Sequence, residues 1–343
     1  MPLILGLESS CDDSAVALVT SDRRILAQRV VGQNKAHAPF GGVVPEIAAR
    51  AHIDVLPGLV EEVLGEAGLG IGEVDAIAAT AGPGLIGGVM VGLLTAKGLA
   101  LASGKPLIAV NHLEGHALSP RLVDAELGFP YLLLLVSGGH CQLLEVRDVG
   151  DYRRLATTID DAAGEAFDKS AKLLGLPYPG GPAIEALAAE GDAKAVPLPR
   201  PLFGSGEPHF SFAGLKSAVQ RAVASGSFAP ADVAASFQQA VIDCLLDRTR
   251  RALATSKAPT LVVAGGVAAN GAVRSALAEL AGREGRGFSV PPGWLCTDNA
   301  AMIAWAGAER FSRGLVDGLD APARARWPLD SQAETVRGAG VKA

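Results

Sequence analysis

The sequence predicts an α/β protein built from two similar halves. Strand–turn–helix patterns occur at 76–102 and 261–281, where a short apolar run leads into a glycine turn and then into a helical pattern. Hairpin patterns occur at 3–19 and 131–146, each with two apolar strands joined by a turn of small or polar residues. The alternation predicts sheets covered by helices on both faces. The repeated hairpin pattern predicts the two halves.

The expected halves run from 1 to 110 and from 111 to 298. A helix at about 299–315 is expected to rejoin the first half, and a mostly helical insert at about 160–254 interrupts the second. The polar segment 316–343 is expected to be a loosely held tail. The length of 343 residues supports two domains, because single hydrophobic cores rarely grow beyond about 250–300 residues.

Composition excludes several classes of protein. Apolar residues make up 49% of the chain and charged residues 19%, which predicts a compact fold with an ample core. The net charge of −6 excludes a basic field over the whole surface, so any contact with nucleic acid must use a local patch. Aromatic residues make up only 5%, which disfavours a base-stacking platform for single strands.

The cysteines and the apolar stretches indicate a cytoplasmic protein without a membrane segment. The N-terminus lacks the basic segment of a secretory signal. The stretch 84–102 is expected to be a buried helix rather than a membrane span, because glycines dilute it and Lys97 lies within it. The cysteines are far apart and form no C-x-x-C pattern, which disfavours disulfides and a thiol zinc site. They are Cys11, Cys141, Cys244 and Cys296.

Two histidines are the first candidate metal ligands. His112 and His116 stand four residues apart, and on a helix this spacing places both imidazoles on one face, where they can share a metal ion. Two imidazoles do not complete a site, and a carboxylate is the expected third ligand. Asp298 is the candidate, although it precedes an apolar helix and could instead be its N-cap.

A zinc-peptidase interpretation of this segment fails on geometry. The H-E-x-x-H motif places its glutamate directly after the first histidine. Here Glu114 follows His112 by two residues, which is about 200° around a helix of 3.6 residues per turn. Its carboxylate would point away from the metal and could not activate a water molecule.

Small-residue turns are the candidate phosphate-binding elements. The turn at 137–139 either is a tight hairpin that needs glycine at positive φ, or it brings backbone N–H groups close to a phosphate. The same choice, between close packing and ligand binding, applies to Gly265 and Gly266. Asn270 follows them and could cap the next helix or hydrogen-bond an adenosine.

Acidic residues near strand and helix ends are the candidate catalytic and ribose-binding groups. Glu8, Asp12 and Asp13 lie close together after the first strand, and their mutual repulsion is costly unless a cation or solvent relieves it. The alternative is a solvated turn. Asp168 and Glu185 lie near helix starts, where a carboxylate could bind ribose hydroxyls or could simply cap a helix or pair with a cation.

Together these segments resemble the TsaD family, the tRNA adenosine threonylcarbamoyltransferases. The resemblance runs from about residue 3 to residue 314, nearly the whole chain. The segments that carry it are GLESSCDD at 6–13, NHLEGH at 111–116, LVSGGH at 135–140, and the blocks at 161–169, 178–182, 210–216, 265–270 and 297–299.

The resemblance implies the actin/Hsp70/sugar-kinase fold, with two related α/β halves and a nucleotide cleft between them. It implies one divalent metal, iron(II) in the first place and zinc as the alternative, held by His112, His116 and Asp298. It also implies an adenine nucleotide: threonylcarbamoyl-adenylate, ATP or AMP. The implied nucleotide contacts are Leu135, Val136, Ser137, Gly138, Gly139, Asp168, Gly181, Glu185 and Asn270.

The implied reaction transfers the threonylcarbamoyl group from threonylcarbamoyl-adenylate to N6 of an adenine, with AMP as leaving group. That adenine lies beside the anticodon in tRNAs reading codons that start with A. Asp12 or His140 is the candidate for handling the amine proton. The sequence departs from the family pattern at Asp13, where glutamate is usual, and at Glu185, where aspartate is usual.

The resemblance also implies partners. These are tRNA, TsaB-like and TsaE-like proteins, and a TsaC-like enzyme that supplies the donor. The glycine-striped segment 84–98 is a candidate surface for the TsaB-like partner or an internal helix contact. Arg248, Arg250 and Arg251 form a candidate tRNA patch or an ordinary solvated helix face.

Two other functions remain open at this point. An ATP-dependent small-molecule kinase would share the fold and the nucleotide, but it would need Mg²⁺ and a hydroxyl substrate and has no evident use for a histidine pair. A nucleotide-gated scaffold would bind partners without catalysis.

Overall fold

The structure is a computed structural model that describes residues 1–40, 42–334 and 336. The chain divides into two units: unit 1 comprises Met1–Leu127 and Thr297–Leu329, and unit 2 comprises Gly128–Cys296 and the segment from Asp330. The strands are β1 (Leu3–Glu8), β2 (Asp13–Thr20), β3 (Ile25–Gly32), β4 (Ala76–Gly82), β5 (Leu107–Asn111), β6 (Tyr131–Val136), β7 (Cys141–Asp148), β8 (Asp151–Thr157), β9 (Thr260–Ala264) and β10 (Gly287–Ser289).

Helices separate most of these strands. They are α1 (Asn34–His37), α2 (Pro45–Ala67), α3 (Ile86–Ser103), α4 (His112–Val123), α5 (Ala163–Leu173), α6 (Gly180–Ala188), α7 (Ala213–Ser225), α8 (Pro230–Thr255), α9 (Gly271–Arg283), α10 (Gly293–Cys296) and α11 (Ala300–Phe311). Short 3₁₀ turns lie at Ala38–Phe40, Ile71–Glu73 and Gly266–Ala269.

The two units contain sheets with the same connectivity. In unit 1 the strand order is β3-β2-β1-β4-β5, and in unit 2 it is β10-β9-β6-β7-β8. Each sheet begins with three antiparallel strands and continues with two parallel strands beside the first of them. The two hairpin patterns in the sequence are therefore equivalent elements of a repeated sheet.

Strands β1, β4 and β5 of the unit 1 sheet are buried on both faces. Leu3, Leu5 and Leu7 of β1 pack into an apolar cluster with α2 and α3. The opposite face packs against α11, where a Cβ on Gly6 would lie 2.6 Å from the carbonyl oxygen of Ala300. Such a distance is far below van der Waals contact, so only glycine permits this approach of strand and helix.

In unit 2, helices α5 to α8 form a large apolar layer beside the sheet. Phe167, Phe212 and Phe237 are fully buried in this layer, together with side chains of β6 and β9. The helices lie between β8 and β9 in sequence, in the region expected to hold a helical insert.

The unit boundaries differ from the expected ones. Unit 1 continues through α4 to Leu127 instead of ending at residue 110, because α4 packs against α11 and β5. The metal-ligand candidates expected in the second half therefore lie in unit 1.

The expected loose tail is partly ordered on unit 1. Asn111 Nδ2 donates a hydrogen bond to the carbonyl of Trp327 at 2.8 Å, and Lys97 Nζ donates to that of Ala321 at 2.6 Å. Ala321, Ala323 and Trp327 also pack against the apolar cluster. Thr335 and the part of the expected tail from Arg337 lie outside the described residues.

Helix α3 is long and apolar enough to cross a membrane by length and composition alone. In this structure it packs against α2 and β4. A Cβ on Gly88 or Gly92 would lie within 2.5 Å of Ser9, so the glycine stripe faces the interior of unit 1. The stripe is an internal helix contact, and a partner could reach only the opposite face.

Candidate metal and nucleotide sites

The two histidines lie at the start of α4. Asn111 ends β5, and its side-chain Oδ1 accepts a hydrogen bond from Leu113 N at 2.9 Å, so the helix begins at His112. His112 and His116 are one turn apart, with their ring centroids 4.8 Å from each other. Both side chains are buried.

Asp298 completes the group. Its Oδ1 lies 3.4 Å from Nε2 of His112 and 3.2 Å from Nε2 of His116. Asp298 does not cap α11; Asn299 does, because its Oδ1 accepts from Met302 N at 2.9 Å. The N-cap interpretation of Asp298 is therefore wrong, and its carboxylate faces the histidines with 27% of the side chain exposed.

Glu8 fixes the ring of His112 from behind. It ends the buried strand β1, and its Oε2 lies 3.0 Å from His112 Nδ1 and accepts from Thr80 Oγ1 at 2.6 Å. Its Oε1 accepts from Ser10 N at 2.5 Å. A carboxylate only accepts hydrogen bonds, so Nδ1 of His112 carries the proton that it donates to Glu8.

This donor set fits a divalent cation. With Nδ1 as the donor to Glu8, the lone pair of a neutral His112 ring lies on Nε2 and faces Asp298 Oδ1. Two electron-rich atoms at 3.4 Å need a proton or a metal ion between them. A carboxylate behind a histidine ligand is also a common outer-shell arrangement in metal sites.

The pKa shifts reflect the same charges. Burial disfavours the charged ring of His112, but Asp298 and Glu8 outweigh it and raise its pKa well above the usual value. Burial favours the neutral acid at Asp298, yet His112 and His116 hold its pKa well below the usual value. Both shifts favour the charged forms that attract each other.

The turn between β1 and β2 and the first residue of β2 add two more carboxylates, those of Asp12 and Asp13, near this group. Burial, with repulsion from Asp298, Asp12 and Glu8, raises the pKa of Asp13 to about 7. The cluster of carboxylates is therefore too dense for every member to ionise without a cation nearby. A fully solvated turn does not describe Asp13.

Glu114 takes no part in this group. Its Oε2 lies 3.2 Å from a guanidinium nitrogen of Arg310. The peptidase interpretation is excluded by geometry, as the sequence indicates.

In unit 2, the turn between β6 and β7 is open. Ser137 N donates to His140 O at 2.8 Å, and His140 N donates to Ser137 Oγ at 3.1 Å. Neither Gly138 nor Gly139 has a positive φ, so the alternative of a tight hairpin that needs glycine at positive φ is wrong. A Cβ on either glycine would meet no atom within 4 Å. The backbone conformation of the turn therefore does not require glycine at these two positions, and the absence of side chains leaves open space there.

Two other nucleotide-binding candidates of unit 2 accept hydrogen bonds from backbone N–H groups at the starts of helices. Asp168 Oδ1 accepts from Gly180 N at 2.8 Å at the start of α6, and burial raises the pKa of Asp168. Glu185 Oε1 accepts from Gly271 N at 2.7 Å at the start of α9. A Cβ on Gly181 would meet no atom within 4 Å.

Asn270 has two roles in the structure. Its Oδ1 accepts from Val273 N at 2.9 Å and caps α9, and its Nδ2 donates to Gln238 Oε1 at 2.8 Å. Gln238 is absent from the sequence-based prediction, because it lies on α8 and no local pattern marks it.

The strand ends bring these groups into one neighbourhood. Gly265 has a φ of 93°, and a Cβ there would lie 2.5 Å from the carbonyl of Val136 at the end of β6. Gly164, in the first turn of α5, packs equally closely on the carbonyl of Ser137. Leu135 and Val136 are fully buried, so neither side chain lines an open site. Carboxyl ends of strands are the usual ligand edge of α/β sheets.

The two candidate proton acceptors belong to different units. Asp12 lies in unit 1 and His140 in unit 2.

The expected basic patch needs a correction. Arg248 is buried and bound to Asp247 and to the carbonyl of Leu202, so it cannot contact tRNA. Arg250 keeps 60% of its side chain exposed.

Comparison with known proteins identifies the fold. A protein described as component A of (R)-2-hydroxyglutaryl-CoA dehydratase from Acidaminococcus fermentans covers 91% of this chain, and the match covers all of that chain, with a TM-score of 0.56 at 15% identity. Full-length HypF covers 94% of this chain with a TM-score of 0.61 at 14% identity, and the match spans 47% of HypF. The expectation of an actin/Hsp70/sugar-kinase fold is confirmed.

Sequence comparison identifies the family. The family model described as "TsaD: tRNA N6-adenosine threonylcarbamoyltransferase" matches residues 24–305. Curated relatives of that name from Sphingopyxis alaskensis and Novosphingobium aromaticivorans are 74% and 67% identical, each over the full length of both chains. The chain therefore belongs to the TsaD family.

Proposed function

We propose that this chain is the enzyme that transfers a threonylcarbamoyl group to tRNA. The group moves from threonylcarbamoyl-adenylate to N6 of the adenine next to the anticodon, in tRNAs reading codons that start with A, and AMP is released. The full-length identity to curated threonylcarbamoyltransferases carries this conclusion.

The reaction requires activation of a weak nucleophile. N6 attacks the carbamoyl carbon, a new C–N bond forms, the C–O bond to the adenylate phosphate breaks, and N6 loses a proton. Because the lone pair of N6 is delocalised into the ring, the protein must both polarise the acyl carbonyl and stabilise the leaving phosphate.

The turn at Gly138 and Gly139 is the proposed site for that phosphate. Its backbone can approach an anion because no side chain covers it and the space around it is open. Ser137 N already donates to His140 O, so the two glycine N–H groups are the better candidates. Asp168, Gly181, Glu185 and Asn270 would surround the nucleoside.

The metal is proposed to be iron(II), with zinc as the alternative, held by His112, His116 and Asp298. When bound, it would polarise the acyl carbonyl or bind the threonyl part of the donor. Glu8 orients His112 through Nδ1. Asp12 or His140 would accept the proton from N6.

The exposed face of α3 is the proposed surface for a TsaB-like partner. Apolar side chains at four-residue spacing, Ile86, Met90 and Leu94, are exposed there, and Leu101 continues the row with 71% exposure. Apolar rows of this kind mark interaction surfaces. A TsaE-like protein would complete the assembly and a TsaC-like enzyme would supply the donor. A tRNA substrate and four free cysteines favour the cytoplasm.

The first prediction concerns the product. Metal-loaded protein, a TsaB-like and a TsaE-like partner, unmodified tRNA and synthetic donor should yield N6-threonylcarbamoyladenosine and one AMP per modified nucleoside. Nucleoside analysis by mass spectrometry measures it. Phosphoryl transfer from ATP to a small hydroxyl compound would support the kinase alternative. Partner binding without any modified nucleoside would support the scaffold alternative.

The second prediction concerns the metal ligands. His116→Ala removes one of three donors and Asp298→Asn removes the only anionic one, so each should reduce metal content to background and abolish turnover, while far-UV circular dichroism stays unchanged. His209→Ala, which changes a histidine of unit 2, should keep full metal. Full metal content in both ligand variants, measured by elemental analysis, would reject this site.

The third prediction concerns Glu8. Both of its oxygens accept hydrogen bonds, so Glu8→Gln must turn its NH2 group toward either Ser10 N or His112 Nδ1, and in both cases it removes the negative charge behind the ring. Metal affinity should fall by about 10- to 100-fold, the usual cost of losing an outer-shell partner. Competition with a chelator measures it. Glu114→Gln is the matched control and should leave the affinity unchanged; equal effects would contradict the role of Glu8.

The fourth prediction concerns Asn270. Asn270→Asp keeps an oxygen that can cap α9, but it loses the amide donor that binds Gln238 and adds negative charge at the proposed nucleoside site. Affinity for AMP should fall by about tenfold, roughly one hydrogen bond to ligand, while the melting temperature changes little. Gln239→Glu on α8 is the control. Equal AMP dissociation constants for wild type and Asn270→Asp in calorimetry would remove Asn270 from the nucleotide site.

The fifth prediction concerns α3. Leu94→Asp places a charge in the exposed apolar row and should weaken the TsaB-like partner by about 30-fold or more, the effect of losing an interface hot spot. Phe203→Asp in unit 2 is the control, since Phe203 is equally exposed. Unchanged binding of Leu94→Asp in calorimetry would place the partner elsewhere.

A further inference from the structure

A chain of buried polar side chains in unit 1 has no role in the sites described above. It comprises Gln33 after β3, His37 in α1, His52 in α2 and Ser14 in β2. Each of them is less than 8% exposed. Buried polar groups are costly unless they are hydrogen-bonded, and these are bonded to one another.

The hydrogen bonds among these side chains form a series that ends at a backbone carbonyl. That carbonyl determines the donor and the acceptor of every bond in the series. His52 Nε2 lies 3.1 Å from the carbonyl oxygen of Cys11, which can only accept, so Nε2 carries the proton. Nδ1 of the neutral ring then accepts from Ser14 Oγ at 2.7 Å and from Gln33 Nε2 at 3.3 Å. Burial lowers the pKa of His52, which keeps the ring neutral.

The donors and acceptors at Gln33 and His37, the other end of this series of hydrogen bonds, follow in the same way. With its amide nitrogen facing His52, Gln33 offers Oε1 to His37 Nε2 at 3.1 Å. His37 Nδ1 in turn accepts from Val44 N at 3.3 Å. All donors therefore point toward the turn at residues 9–13, which we call the acidic turn.

Further hydrogen bonds from other segments of unit 1 also hold the acidic turn. Gln33 N donates to the carbonyl of Asp12 at 3.0 Å, and Leu85 N donates to that of Ser10 at 2.7 Å. Ser9 Oγ donates to the carbonyl of Gly88 at 2.9 Å. Three consecutive carbonyls, at residues 10, 11 and 12, are thus bound by groups from three different segments.

We infer that His52, supported by Ser14 and Gln33, is a positioning residue that fixes the acidic turn and thereby aims the Asp12 carboxylate at the reacting amine. This rests on the proposed function. His52 is not one of the candidate metal ligands or substrate contacts; it is hydrogen-bonded to the turn through the Cys11 carbonyl, one residue before Asp12. Small displacements of a catalytic group reduce the rate steeply because the reacting geometry is lost.

The test compares variants under saturating tRNA and partners, with kcat, the KM for the donor, metal content and melting temperature measured for each. His52→Leu should lower kcat by on the order of 10- to 100-fold while the donor KM and the metal content stay near wild type. His52→Gln should recover most of kcat, because its amide N–H can replace the donor to Cys11 O.

Ser14→Ala and Thr20→Val form a matched pair that stays informative if His52→Leu fails to fold. Both residues are buried hydroxyls of β2, and Thr20 bonds the carbonyl of Arg24 at the opposite end of the strand. The inference is supported if the two variants lose a similar amount of melting temperature but only Ser14→Ala has a lower kcat. Equal kcat in the pair would overturn it, as would His52→Gln no more active than His52→Leu. An inactive wild type would instead contradict the proposed function.

Discussion

The balance between carboxylates and imidazoles in unit 1 is the constraint on which the rest of the site depends. Glu8 and Asp298 approach His112 from its two ring nitrogens, and the pair of charges raises the ring's pKa although burial opposes it. Asp13 sits at the edge of the same field with a raised pKa. Adding a cation at Asp298 relieves repulsion among all of these acids. Protein stability and ligand affinity are therefore coupled through one set of charges.

The repeated sheet explains why similar turns serve different tasks. The loop after β1 carries carboxylates and meets the histidines of α4, whereas the corresponding turn after β6 carries small residues and an open backbone. An acidic loop suits a cation, and an uncovered backbone suits an anion. One connectivity, used twice, therefore provides complementary electrostatics from sequence changes at a single position of the fold.

Much of this could be predicted from sequence because the signals are local. The runs at 76–82 and 131–136 are fully buried and apolar, so their strands were readable, and the four-residue spacing of His112 and His116 fixed their common helix face. The resemblance to a family supplied the reaction. What local patterns could not provide was the partner of each polar group. Glu8 meets Thr80, 72 residues away, and Ser14 meets His52, 38 residues away. Nor could a local pattern decide between the two roles open to Asp298, metal ligand and cap of α11, because Asn299 beside it satisfies the same capping pattern and is the cap.

The discontinuous course of unit 1 has a consequence for biosynthesis. The face of the sheet around Gly6 is covered by α11, and Asp298 lies two residues before that helix, so both are synthesised after the segment Gly128–Cys296 of unit 2. A ribosome releases the first 127 residues long before that, with one sheet face exposed to water. The core of unit 2 between Gly128 and Cys296 can form meanwhile, since chains generally fold domain by domain as they emerge. A nascent chain thus cannot bring the two histidines and the aspartate together before the segment Gly128–Cys296 has been synthesised.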